Sequence, residues 1–344
     1  MEFNKILETW YLNNKRDLPW RKTQNPYFIW ISEIILQQTR IQQGLDYYYK
    51  FINHYPTVQD LANASEDAVL KDWQGLGYYS RARNLHFSAK YIVHQLNGVF
   101  PNNYKDLLQL KGVGDYTASA IASICYNEKA AVVDGNVYRV LARYFNIDIP
   151  INSTIGIKYF KNLAQELITN ANPREYNQAL MDFGSLVCKP QNPNCLECPL
   201  ESSCLAKAKN TIDELPVKEK KITIKKRYFN FIVVNDGQST LIEKRKGKGI
   251  WENLYQFPLI ETPKKTLLKD LQVHPFFKTF PSNNIVCYNP KAWIHKLSHQ
   301  HLYTHFWILE LDQIHQPNKV KWSEIEKYAI PKLIHKFLES YQSK

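Results

Sequence analysis

Four of the six cysteines fall between residues 188 and 204, and they constrain the fold more than any other feature. Cys188, Cys195, Cys198 and Cys204 are spaced C-x6-C-x2-C-x5-C. Thiolates this close along a chain can close one compact metal site and pin the loops between them. A disulfide framework is a poor reading. The start Met1-Glu2-Phe3-Asn4 has no signal-peptide pattern, and only Cys125 and Cys287 remain as further cysteines. Zinc and an iron–sulfur cluster both stay open on spacing. Structural zinc sites more often come as two C-x2-C pairs, and there is one such pair here.

A second signal lies in Leu110-Lys111-Gly112-Val113-Gly114-Asp115-Tyr116-Thr117-Ala118. A Gly-x-Gly turn ahead of a helix leaves backbone N–H groups open at the helix N-terminus, where a phosphate oxygen can sit. Such turns usually only cap helices. However, Asp134 follows twenty residues later in Val132-Val133-Asp134-Gly135-Asn136-Val137-Tyr138-Arg139, an unusual place for an acid unless its charge is used.

The third signal is Glu33 in Trp30-Ile31-Ser32-Glu33-Ile34-Ile35-Leu36-Gln37-Gln38-Thr39-Arg40. Among Trp30, Ile34 and Leu36 a carboxyl should be partly desolvated, which raises its pKa. A Glu protonated near neutral pH is a usable general acid. A lone Glu on an amphipathic helix would read as surface charge, but the Leu-Gln-Gln-Thr-Arg run beside it changes that reading. Together these motifs closely resemble the adenine-specific mismatch DNA glycosylases, the MutY family of the helix-hairpin-helix, endonuclease III-like superfamily. The resemblance is specific from Leu18 to Cys204 and looser after Arg227.

That resemblance implies a [4Fe–4S] cluster on Cys188, Cys195, Cys198 and Cys204. Lys189 and Lys207 would lie near DNA. It makes Glu33 the acid that protonates adenine and Asp134 the carboxylate that stabilises the cationic sugar, with Asn136 and Tyr116 assisting. N-glycosidic cleavage needs both roles, because adenine leaves poorly as an anion and the sugar turns cation-like. Arg16, Trp20, Arg21 and Gln178 resemble the adenine-pocket residues. Gln38 and Thr39 match residues that enter the DNA helix or contact its backbone. In Gly75-Leu76-Gly77-Tyr78-Tyr79-Ser80-Arg81, Leu76 and Tyr78 would wedge against the opposite base. Lys111, Gly112, Val113 and Gly114 would grip the backbone. Relatives with lyase activity carry a Lys where this chain has Tyr116. A tyrosine cannot form a Schiff base, so the expected enzyme is monofunctional.

The chain continues for about 140 residues past the cysteines. Gly249-Ile250-Trp251-Glu252-Asn253-Leu254-Tyr255-Gln256-Phe257-Pro258 resembles the start of the family's Nudix-like domain. The clustered glutamates of a Nudix hydrolase are absent, so the domain is expected to bind rather than hydrolyse. Leu297-Ser298-His299 sits where the family carries a Phe-Ser-His motif that reads 8-oxoguanine, with Leu in place of Phe.

The expected architecture is therefore multidomain. An all-α helix-hairpin-helix core with the cluster loop spans 1–208: a six-helix lobe at about 24–125, and a cluster lobe from 1–23 plus 126–208. A basic linker follows at 209–227, then an α+β Nudix-like lesion-recognition domain at 228–344. There, Tyr228–Val234 and Thr240–Arg245 read as a hairpin about Asn235-Asp236-Gly237, Trp293–Leu297 and His301–Leu311 as strands, and 331–341 as a terminal helix. The 44 Lys and Arg against 32 Asp and Glu give a net charge of +12, which favours a polyanionic partner. No apolar run approaches a membrane span. The expected protein is a monomeric, cytoplasmic, nucleoid-associated base-excision enzyme. Its expected substrate is double-stranded DNA with adenine opposite 8-oxoguanine or guanine. The rival readings are an endonuclease III-like lyase, which Tyr116 and the C-terminal region oppose, and a non-catalytic iron–sulfur DNA sensor, which Glu33 and Asp134 oppose.

Overall fold

The computed structural model describes residues 2–219, 224–280 and 284–342. The chain divides into two compact units: Met1–Asn63 with Asn84–Lys220, and Ala64–Arg83 with Lys221–Lys344.

The first unit is helical. It holds α1 (Glu2–Asn14), α2 (Pro26–Leu36), α3 (Ile41–His54) and α4 (Val58–Asn63). Of the next two helices, α5 (Glu66–Asp72) belongs to the second unit, and α6 (Ser80–Gln95) begins there and continues into the first. Then follow α7 (Tyr104–Leu107), α8 (Asp115–Tyr126), α9 (Gly135–Tyr144), α10 (Thr154–Ile168), α11 (Pro173–Leu186) and α12 (Leu205–Ala208). Their starts are written in the sequence. Asn25 caps α2 through Tyr27 N with Pro26 in the first turn, Ser153 caps α10, and Asn172 caps α11 ahead of Pro173.

Helix α2 is apolar nearly all round, and eight of its eleven residues are buried, Glu33 among them. A helix with that pattern belongs inside a bundle. It packs on α3 and α8, and α8 in turn packs on α11. The close approach of α8 follows from its run of small residues, Thr117-Ala118-Ser119-Ala120, all buried. A second core joins α1, α9, α10 and α11 through Phe3, Leu7, Val137, Leu141, Phe160, Tyr176 and Phe183. Leu215 is buried in this same core, and Ile151 N donates to Val217 O at 3.0 Å. The basic stretch is thus docked on the helical unit through Leu215 and Val217, the apolar residues between its lysines. Its Lys220 and Lys221 lie outside the described residues.

The second unit is α+β. Its main sheet runs β6 (Ile285–Cys287), β8 (Gln300–Glu310), β1 (Lys225–Asn235), β2 (Ser239–Leu241), β9 (Lys319–Lys321). In addition β5 (Leu259–Thr262) pairs β1, and β7 (Trp293–Lys296) pairs β8. Strands β1 and β8 are parallel, from Lys225 opposite Gln300 to Asn235 opposite Glu310. Both are buried at their centres, which explains their unbroken apolar runs. One face packs on α13 (Leu268–Leu271) and α14 (Pro275–Thr279) through Ile232, Val234, Trp307, Leu271 and Phe277. On the other, Phe337 of α15 (Lys332–Gln342) stacks on Phe306 at 4.2 Å.

The turn expected at Asn235-Asp236-Gly237 is present, with Gly237 at φ +81° and Asn235 opposite Thr240. The strand expected over Thr240–Arg245 breaks at Ile242. Its first part pairs β9, and its second, β3 (Glu243–Lys244), pairs β4 (Tyr255–Gln256). Two partners on different sheets cannot be served by one straight strand.

Candidate active site

Three helices of the first unit bring the acidic residues together. Glu33 is on α2, Tyr116 in the first turn of α8, and Asp134 caps α9. Glu33 is 7% exposed. Burial pushes its carboxyl from 4.5 up to about 7, and the negative Asp134 adds to the rise. The Tyr116 hydroxyl and Arg21 pull the other way without overcoming it. Burial beside Glu33 and Asp134 likewise holds the Tyr116 phenol well above its usual range. The Tyr116 hydroxyl also points to Met181 Sδ at 3.4 Å.

Asp134 accepts from the backbone N–H groups of Asn136 and Val137, both at 2.8 Å, as a helix cap should. Its second oxygen accepts from Asn136 Nδ2 at 2.8 Å. Burial raises its pKa, while the donors from Val137 and Asn136 oppose the rise. Asn136 Oδ1 accepts from Arg139 Nη2 at 2.9 Å, and Arg139 Nε donates to Cys188 O at 2.7 Å. A side chain at position 184 would put its Cβ 2.6 Å from Asn136 Cβ, so Gly184 is what lets α11 approach α9 here.

Arg16 and Arg21 converge on Asp182, a fully buried carboxylate that the sequence analysis did not single out. Arg21 grips it bidentately at 2.6 and 2.8 Å, and Arg16 Nε reaches it at 3.0 Å. Burial would raise the Asp182 pKa, but the two guanidiniums hold it below the usual range. The available signal was spacing: Asp182 lies four residues after Gln178, one turn along the same helix face. Gln178 accepts from Tyr11 OH at 3.3 Å and donates to Arg174 O at 3.2 Å. Trp20 is buried edge-on to Tyr48 at 5.1 Å. Gln37 Nε2 donates to Thr117 Oγ1 at 3.2 Å and ties the end of α2 to α8. Gln38 follows, exposed and at φ +56°, and Thr39 is half-buried.

The glycine turn has the backbone its sequence requires. Gly112 sits at φ +84°, and a Cβ there would lie 2.7 Å from Asn84 Cβ. Gly114 is the N-cap of α8 with no side-chain cap, and a Cβ there would meet nothing within 4 Å. Val113 is buried, while Lys111 is exposed with its Nζ 4.5 Å from the Phe87 ring centre.

Cys188, Cys195, Cys198 and Cys204 are half-buried free thiols lining one small pocket with Val187, Pro193 and Ile212. Among the described residues no group of three or more Cys, His, Asp or Glu converges on a point for a single ion. Burial raises the pKa of Cys198 to about 11, with the other thiols adding to the rise. Arg143, another residue the sequence reading passed over, holds this loop by donating to Lys189 O at 2.7 Å and Pro190 O at 3.1 Å. Lys207 is ion-paired with Glu201.

In the second unit Tyr78 and Ser298 meet. Tyr78 is exposed at φ +45°, and its hydroxyl is 2.6 Å from Ser298 Oγ. They line a cavity of about 430 Å³ with Trp251, Leu297, His299 and Arg83. His305 is buried and bonded to Asn289 O at 3.0 Å, away from this lining. Leu76, expected to wedge beside Tyr78, is instead buried, its apolar side chain packed inward from the same loop.

A buried, raised carboxyl beside a helix-capping Asp and an open Gly-x-Gly helix start fit a base-excision DNA glycosylase of the helix-hairpin-helix class. The family model for the HhH-GPD superfamily base excision DNA repair proteins matches residues 31–154, and that for the NUDIX domain matches residues 230–340. The chain is 31% identical over 348 residues to an adenine DNA glycosylase of Buchnera aphidicola subsp. Acyrthosiphon pisum, covering 99% of this chain and 97% of that one. It is 38% identical over 262 residues to that of Buchnera aphidicola subsp. Baizongia pistaciae (74% and 73% covered), and 45% over 213 residues to the Mus musculus enzyme (59% and 41%). A solved thermostable thymine-DNA glycosylase is similar at 33% identity and TM-score 0.56, over 60% of this chain and 95% of that one. An endonuclease III–DNA complex shares the fold at 21% identity and TM-score 0.51, over 61% and 97%. The chain belongs to the adenine DNA glycosylase family, and it is a DNA-binding enzyme of base excision repair.

Proposed function

We propose that this enzyme is a monofunctional glycosylase that releases adenine mispaired with 8-oxoguanine, and less selectively with guanine. The supporting observation is Glu33, a carboxyl buried in α2 whose pKa of about 7 keeps it protonated in a useful fraction at neutral pH. Adenine is flipped from the duplex and protonated by Glu33. The sugar left behind is cation-like, and Asp134, fixed by Asn136, stabilises it. Glu33, now deprotonated, activates the water. Arg16, Trp20, Arg21 and Gln178 shape the adenine pocket, with Asp182 holding both arginines in place. Tyr116 supplies no amine, so the sugar is not captured as a Schiff base.

The duplex backbone is gripped by the N–H groups of Gly112 and Gly114 and by Lys111, with Val113 holding the turn through its own N–H to Leu110 O at 3.0 Å and Gln38 and Thr39 entering beside them. Tyr78, exposed at the tip of its loop, wedges the stack with the buried Leu76 packed in the same loop, and Ser298 with His299 reads the opposite base. Their convergence with Tyr78 on one cavity supports this assignment. The four cysteines fit a [4Fe–4S] cluster: four thiols around one small pocket, with the loop backbone clamped by Arg139 and Arg143. When bound, such a cluster holds the 188–204 loop in shape. We further assign the domain limits as 1–208, 209–227 and 228–344, with a monomeric enzyme at the nucleoid. The test is Ser298→Ala with His299→Ala. The 8-oxoguanine preference should fall toward that for guanine while base release persists; an unchanged preference would remove these residues from recognition.

A further inference from the structure

The second unit holds a larger cavity that this reading leaves unused. It has a volume of about 1120 Å³, lies between β7 and α15, and is bounded elsewhere by Gln74 and Gly75. Its ionisable lining is Lys291, Lys332, Lys336, His295, His335 and Glu339. Glu339 is already engaged, with Oε1 3.3 Å from His335 Nδ1. Lys336 Nζ lies 5.0 Å from the centre of the Trp293 ring, which fixes the ammonium against one wall. Burial, together with Lys332 and Lys336, pulls the pKa of His295 down. Lys332 and Lys336 add to the effect of burial on that imidazole, and a bound anion would offset their share.

The volume exceeds the roughly 300–1,000 Å³ of ordinary small-molecule sites. Open lysines around an aromatic wall suit a stretch of polyanion. Strand β7 also links this cleft to the Tyr78–Ser298 cavity. Trp293, Ile294 and His295 line the first, Lys296 lines the second, and the Trp251 ring of the second packs on His295 at 5.7 Å. Ser298 follows in the turn that joins β7 to β8, so one hairpin carries residues of both cavities.

We propose that the cleft between β7 and α15 is a phosphate-binding groove for the DNA backbone flanking the base received by the Tyr78–Ser298 cavity, with Lys291, Lys332 and Lys336 as its phosphate contacts. Only the identity of the strand rests on the lesion-reading assignment.

The test is duplex binding by the full chain across a range of salt, comparing wild type with the triple variant Lys291→Gln, Lys332→Gln, Lys336→Gln. With ~0.9 of slope per phosphate contact, log K against log salt should become shallower by about 2–3, for lesion-free duplex as well. Arginine at the same three positions should restore the slope. If the triple variant does not fold, Lys332→Gln alone, an exposed change on α15, should lower the slope by about 0.9. An unchanged slope in a folded variant overturns the proposal. So does saturable binding of deoxyguanosine monophosphate at unchanged slope, which would assign the cleft to a free nucleotide. Ser298→Ala separates the two readings. Lost 8-oxoguanine preference there, with an unchanged slope in the lysine variant, sinks the groove alone; the reverse sinks lesion reading alone.

Discussion

Replacing Glu33 by Gln keeps the shape of the side chain and removes its proton. Because the carboxyl is buried, its pKa rises from 4.5 to about 7. At about 1.4 kcal/mol for each tenfold, that rise is worth about 3 kcal/mol. The folded pKa lies above the unfolded one, so the folded chain holds the proton more tightly. Below about 4.5 both states are protonated and the carboxyl costs no stability. Between about 4.5 and 7 the fold loses stability as pH rises, and above 7 the loss is complete. Glutamine has no such dependence. Glu33→Gln should therefore gain about 2–3 kcal/mol more over wild type at pH 8 than at pH 5, read by urea unfolding of the full chain. Base release should fall to background at every pH, with duplex binding retained. In wild type the protonated fraction drops from about 0.9 at pH 6 to about 0.1 at pH 8, so single-turnover base release should fall about tenfold. An equal stability increment at both pH values would refute the burial argument. A flat rate profile between pH 6 and 8 would refute the acid role.

Other substitutions probe the supports of the site. Gly112→Ala forces an L side chain to φ +84° and a Cβ to 2.7 Å from Asn84 Cβ; it should lower stability by about 1–3 kcal/mol and weaken binding to every duplex, in thermal unfolding and filter binding. Tyr116→Lys places an amine beside Glu33 and Asp134 and should yield strand breaks without alkali and a borohydride-trapped adduct; no gain of either would undercut the assignment of that position. Asp182→Asn strips the anion from two guanidiniums and should cost roughly 3 kcal/mol, with base release impaired more than duplex binding. Cys198→Ser should lower iron and sulfide content and the unfolding midpoint together, and a variant that kept both would exclude Cys198 as a ligand.

The sequence carried most of the helical unit because its signals are local. Asn25-Pro26, Ser153 and Asn172 are caps, and the apolar run about Glu33 already implied burial. Asp134 was legible because a charge beside an anion-binding turn calls for a reason. Asp182 and Arg143 were not, because their meaning lies in partners over a hundred residues away or in backbone carbonyls of a loop. The grouping of Ala64–Arg83 with the C-terminal residues was likewise invisible to periodicity, since it rests on contacts such as Asp67 with Tyr255 and Tyr78 with Ser298. The split of the strand at Ile242 depended on which strands lay alongside, which propensity does not encode.

The most direct measurement is a single-turnover assay on duplexes with adenine opposite 8-oxoguanine, guanine or thymine, each developed with and without alkali. Strand breaks appearing only after alkali, fastest opposite 8-oxoguanine, are the predicted result. Breaks without alkali, or equal rates opposite all three bases, would contradict it.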